Sequence, residues 1–121
     1  LLYPASFLAT VNPDDLRARM QLQVGQRPPS RTALMQLLAV IRHDTRGRLG
    51  RIVPPTLVIK PEGDLLVRPF HSERLQRGIP GSRLLCLPDA GHGLTFHAAP
   101  AVNAAIREHV GAHDEPIRTR R

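Results

Sequence analysis

Two stretches of this chain are apolar on successive residues rather than alternate ones: Thr56-Leu57-Val58-Ile59, and Leu84-Leu85-Cys86-Leu87 within the segment Arg83 to Leu87. A strand with one wet face alternates apolar and polar side chains. Runs such as these instead suit strands covered on both faces, as in a parallel sheet. Parallel strands cannot be joined by a tight turn and need a crossover. The chain supplies one, since Pro69 to Gln76 can form a helix anchored by Phe70 and Leu75 and closed by Gly78 and Pro80. A Gly-containing loop, Pro88 to Phe96, follows the second strand. Pro100 then opens a last helix with Val102, Ile106 and Val110 on one stripe. From residue 54 the order is strand, loop, helix, strand, loop, helix, the alternation of an α/β fold. Two strands make an incomplete sheet, because three or more are needed for independent stability.

The first fifty residues read differently. Asn12 is a good N-cap, Pro13 suits the first helical position, and Asp14 and Asp15 favour the positive helix start. Leu16, Met20 and Val24 recur on one stripe; Gly25 is a plausible stop and Pro28-Pro29 prevents continuation. Ser30 is the expected cap of a second helix, whose apolar positions Ala33, Leu34, Leu37, Leu38 and Ile41 share one face. Asp44 can start a short turn ending near Leu49.

Composition narrows the function classes. The net charge is +7, yet Lys60 is the only lysine and the arginines are scattered rather than clustered. Only the tail Ile117 to Arg121 is a basic run, and no aromatic platform accompanies it, so bases have nothing to stack on. No nucleic-acid partner is therefore expected. A single cysteine, Cys86, rules out an internal disulfide or a cysteine zinc site, and its apolar neighbours suggest a small buried hydrophobe. His71, His97, His109 and His113 lie on different elements without ligand-type spacing, so no metal is expected. No apolar stretch approaches the ~20 residues of a membrane span, and no signal peptide is visible, so a cytoplasmic location is expected. The chain opens on Leu1 and not Met, which leads us to expect a piece of a longer product.

Chemistry-bearing residues follow both apolar runs. Asp64 comes after the first and His92, in Gly91-His92-Gly93, after the second. Sites in open parallel sheets form at the carboxyl ends of strands. Adjacent strands would place the two residues on one rim, where a carboxylate can fix an imidazole tautomer and stabilise the imidazolium. The free nitrogen could then take a proton from a nucleophile. Gly91 and Gly93 are expected to permit an unusual backbone around the imidazole.

These segments resemble the α/β-hydrolase family. The run Ile52 to Val67, containing Pro54-Pro55-Thr56-Leu57-Val58-Ile59-Lys60-Pro61-Glu62-Gly63-Asp64, is similar to its late strand and acid turn. Ile79 to Leu84, with Leu87-Pro88-Asp89-Ala90-Gly91-His92-Gly93, is similar to its last strand and histidine loop, and the interval between Asp64 and His92 matches. Pro100 to Ile106 resembles the closing helix, and His43 to Leu49 the segment leading from cap to core. The resemblance covers roughly residues 30 to 110. It implies the C-terminal part of an α/β-hydrolase fold, with two parallel strands, flanking helices and preceding cap helices. Residues 1-50 would be the end of the helical cap, 51-111 the C-terminal part of the core, and 112-121 a basic, disordered tail. The acid turn departs from the family where Pro61 replaces a usual Gly and Lys60 a frequent His. Pro fixes φ and lacks an N–H, so the loop backbone is expected to differ.

The resemblance further implies hydrolysis of an ester-like bond of a small molecule, without metal or organic cofactor. Asp64 would orient His92, and His92 would act as general base and then acid. The family's nucleophile sits on a sharp turn, often Gly-x-Ser-x-Gly. Ser6, Ser30, Ser72 and Ser82 all lack the flanking glycines, so the nucleophile is expected outside this chain, which alone should be inactive. Two other readings remain open: a non-catalytic, truncated fragment that self-associates through an exposed strand edge, and a basic polyanion-binding module.

Overall fold

The computed structural model describes residues 2–23 and 29–113. The expected stops at Gly25 and Pro28, the stripe position Val24 and the basic tail lie outside the described residues.

Helices lead. A one-turn helix α1, Ala5–Leu8, which the sequence did not announce, precedes α2, Pro13–Gln23. Asn12 caps α2 as its side chain suggests, its Oδ1 accepting the Asp14 N–H at 2.9 Å. Helix α3 spans Ser30–Arg42, but Ser30 is its first residue and not its cap. Pro29 holds the cap position, and no side chain bonds to the open N–H groups. The extended backbone of Pro29 (φ −51°, ψ 143°) already sets the entry angle. Leu34, Leu37 and Ile41 all remain exposed, so the apolar face of α3 is not covered by the described residues. A 3₁₀ helix, Arg46–Arg51, follows. Asp44 starts it by accepting the Arg46 N–H at 2.9 Å while gripping the same residue's guanidinium. That pairing draws the Asp44 carboxyl far below the usual carboxylate range.

Strands β1, Leu57–Pro61, and β2, Arg83–Leu87, form a two-stranded parallel sheet, with Val58 opposite Leu84 and Lys60 opposite Cys86. Helix α4, Phe70–Gly78, makes the crossover between them. Beyond β2 come a one-turn helix α5, Leu94–His97, and the closing helix α6, Ala99–Ala112. The end of the expected glycine loop is thus helical, because Phe96 and His97 N–H groups reach back to the Gly93 carbonyl. Side chains alternate between the faces of a sheet. Lys60 on one face bonds Glu73 of α4 at 3.0 Å, and Arg83 on the other bonds Glu108 of α6 at 2.9 Å. Both faces therefore carry a helix, which is why each strand has apolar residues in succession rather than in alternation. The buried apolar residues are Leu49, Val58, Ile79, Ala90 and Val102.

Two expectations change here. Pro61 belongs to the strand and not to the loop after it. The Thr56 carbonyl accepts from the Arg83 N–H, and the Glu62 N–H donates to the Leu87 carbonyl. Even-numbered residues of β1 therefore turn their backbone groups toward β2, and odd-numbered ones toward the open edge. The N–H that Pro61 lacks would have pointed to that edge, so proline costs this pairing nothing. Cys86, expected inside, is exposed. A sheet only two strands wide is too narrow for the flanking helices to cover every position of its edge strand.

Candidate active site

The two turns beyond the carboxyl ends of β1 and β2 are joined by their backbones. The Glu62 N–H donates to the Leu87 carbonyl at 3.1 Å and the Gly63 N–H to the Ala90 carbonyl at 2.9 Å. Gly63 is needed for closeness, since a Cβ there would lie 3.1 Å from the Ala90 oxygen. This zipper carries Asp64 to the side of His92.

Asp64 is only 5 % exposed, and its two oxygens have separate partners. Oδ1 accepts the backbone N–H groups of Leu66 and Val67 at 2.8 and 2.9 Å, which fixes the turn. Oδ2 lies 3.0 Å from Nδ1 of His92. Burial pushes the carboxyl toward its neutral form, but the Val67 N–H, His92 and the Leu66 N–H together outweigh it, and Asp64 is held below the usual carboxylate range. An ionised carboxylate has no proton to give. Nδ1 of His92 is therefore the donor, and Nε2 is left with its lone pair. The His92 side chain is 42 % exposed, and Nε2 meets no hydrogen-bond partner among the described residues. Such an imidazole can accept a proton from a group presented to it and return it later.

The glycines around His92 serve a different purpose from the one expected. Among the described residues only Gly81 has positive φ; Gly93 sits at φ −80°. What Gly91 and Gly93 permit is close approach by the start of the chain. A Cβ on Gly93 would fall 2.3 Å from the Tyr3 ring, and one on Gly91 would fall 3.0 Å from the Leu2 carbonyl oxygen. That same carbonyl accepts the Gly93 N–H at 2.7 Å. Tyr3 and Phe7 then pack edge-on and tilted against Phe96 and His97, with centroids 5.5 to 5.9 Å apart. Arg19 of α2 lies over the Phe96 ring at 3.8 Å.

The structure thus brings Asp64 and His92 together, while sequence reasoning missed the residues packed on the histidine loop: Leu2, Tyr3, Phe7, Arg19 and His97. One signal was present. Aromatic residues are scarce, at 3 %, and Tyr3, Phe7 and Phe96 account for most of them. The remaining histidines lie elsewhere. His71 stacks on Phe70 at 4.0 Å, and His109 faces His113 at 4.8 Å while its Nε2 approaches the Pro55 carbonyl at 3.3 Å. Among the described residues no three His, Cys, Asp or Glu side chains gather as metal ligands would, and no helix is long and apolar enough to cross a membrane. None of Ser6, Ser30, Ser72 and Ser82 is hydrogen-bonded to His92; the Ser82 hydroxyl instead donates toward the Gln76 and Ile79 carbonyls.

Known proteins are similar to this chain in sequence and in fold. RutD of Klebsiella pneumoniae, named as a proposed carbamate hydrolase, is 34 % identical over 111 residues, covering 92 % of this chain and 41 % of RutD. The chain thus spans about two fifths of the length of the curated relatives it matches. A hydrolase from Pseudomonas aeruginosa PA01 superposes with a TM-score of 0.71 at 29 % identity, over 90 % of this chain and 40 % of that one. The enol-lactonase of Burkholderia xenovorans LB400 does so with a TM-score of 0.57 at 29 % identity, over 60 % of this chain and 28 % of its own. No family model matches the chain.

Proposed function

Because this chain belongs to the α/β-hydrolase fold family and carries an incomplete part of that fold, we propose that it contributes the acid, Asp64, and the histidine, His92, of a nucleophile–histidine–acid triad. The reaction is hydrolysis of an ester-like or similarly activated bond in a small molecule. The carrying observation is the 3.0 Å contact between the buried Asp64 carboxylate and Nδ1 of an otherwise open imidazole. The names of the relatives, a proposed carbamate hydrolase and an enol-lactonase, support an activated acyl group as the substrate class.

In this reading a hydroxyl or thiol outside the chain attacks the acyl carbon while Nε2 of His92 takes its proton. Asp64 stabilises the imidazolium that forms. The imidazolium gives the proton to the leaving group, and a second cycle with water releases the acid. Two measurements test it. A fluorophosphonate serine probe should leave the 121-residue chain unlabelled, and strong labelling at Ser6, Ser30, Ser72 or Ser82 would overturn the assignment. Joined to a nucleophile-bearing partner segment, the chain should hydrolyse a nitrophenyl ester. His92→Ala should then cost about 10³-fold or more in kcat; an unchanged rate would remove His92 from the mechanism.

A further inference from the structure

His97 is absent from the chemistry above, yet it touches the loop on both sides of His92. Its Nδ1 lies 3.0 Å from the Gly93 carbonyl oxygen, and its Nε2 lies 3.3 Å from the Gly91 backbone nitrogen. The two contacts make opposite demands. A carbonyl only accepts, so Nδ1 must carry a proton. A backbone N–H only donates, so Nε2 must carry a lone pair. Just one of the three forms of imidazole satisfies both: neutral, with the proton on Nδ1. The ring is held in place by Tyr3 and Phe7, with centroids 5.8 and 5.5 Å away. Asp89 lines the cleft next to it, and Arg19 covers the neighbouring Phe96.

We propose that His97 is a positioning residue for His92. It ties together the N–H of the residue before the proposed general base and the carbonyl of the residue after it, and so sets the depth and direction of the imidazole against Asp64. This rests on the role given to His92 above. The brace has geometric logic. Gly91 and Gly93 have no side chains to hinder the backbone, so the loop they border has little stiffness of its own. Asp64 fixes one edge of the His92 ring but cannot fix the backbone that carries it. Bonds to Gly91 and Gly93 do so at either side. Helix α5 has the length to present His97, four residues after Gly93, back over the start of its own turn.

The test is nuclear magnetic resonance on the full 121-residue chain with nitrogen-labelled histidine, together with amide exchange. Wild-type His97 should show a protonated Nδ1 and a bare Nε2 at neutral pH. His97→Phe keeps an aromatic ring beside Tyr3 and Phe7 but removes both bonds. It should speed exchange at the Gly91 amide by roughly tenfold or more and alter the ring signals of His92, while amides of β1 and β2 keep their protection. His97→Gln, whose side-chain oxygen can still accept from Gly91, should recover that protection and the His92 signals. A His97 proton on Nε2, or His92 signals unchanged in His97→Phe, would overturn the proposal. If His97→Phe does not fold, the wild-type tautomer and the Gly91 amide of His97→Gln decide: an unprotected Gly91 in the latter counts against the brace. None of these readouts involves turnover. Failure of the hydrolase reading, seen as an active His92→Ala, is therefore distinguishable from failure of this one.

Discussion

Asp64 divides its two oxygens between shape and chemistry, and a substitution can separate them. Asparagine keeps an acceptor for the Leu66 and Val67 N–H groups but presents an NH₂ to His92. Nδ1 of His92 must then surrender its proton and take the wrong tautomer. Asp64→Asn should keep the fold, read as a near-native melting curve, and lower kcat of a complemented enzyme by about 10⁴-fold. The same site sets a pH dependence. The carboxyl is held below its unfolded value of about 3.9, so its stabilisation is complete above that value and disappears as pH falls through the lower folded one. Acid titration followed by circular dichroism should show the chain losing stability below about pH 4, with Asp64→Asn flatter across that window. The sequence made the contact between these two residues legible because each lies in the turn after a strand whose apolar run is unmistakable. The His97 tautomer was not legible, since it depends on two peptide groups that only the folded loop orients.

Elements were readable where their local signal was unambiguous, and misread where a neighbouring proline or a distant segment decided. Asn12 before Pro13 announced α2, and the apolar runs announced β1 and β2. Ser30 was misassigned as a cap because Pro29 had already set the entry to α3. No local signal announced α1, nor that it would lie on the histidine loop. The glycines flanking His92 were recognised as necessary for the wrong reason: they make room for Leu2 and Tyr3. That reason makes a prediction. Gly93→Ala should drive its methyl into the Tyr3 ring and cost about 1–3 kcal/mol, measured by urea denaturation. In a Tyr3→Ala background the cost should fall sharply, because the two changes share one contact. An equal cost in both backgrounds would mean that the glycine's role lies in the loop itself.

The molecule as a whole carries more surface than its mass predicts. It exposes 9915 Å² at 13.4 kDa, against about 6,500 Å² for a folded monomer of that mass. Leu34, Leu37, Val40 and Ile41 of α3, together with Leu65 and Val67 beside the acid turn, are among the exposed apolar residues. The backbone groups of Leu57 and Ile59 face an edge that no strand among the described residues pairs with. Such surfaces recruit partners. Sedimentation at micromolar concentration should show the isolated chain associating, and a compact monomer would count against this expectation. The bond from Gly93 to the Leu2 carbonyl has a last consequence, in time rather than space. It joins positions 2 and 93 of the 121-residue chain, and contacts that close so long a loop are entropically slow to form. The local helices and the β1–α4–β2 unit can assemble without it. The ring of His92 should therefore settle among the last events of folding, and the start of the chain, far from the histidine in sequence, times the maturation of the site.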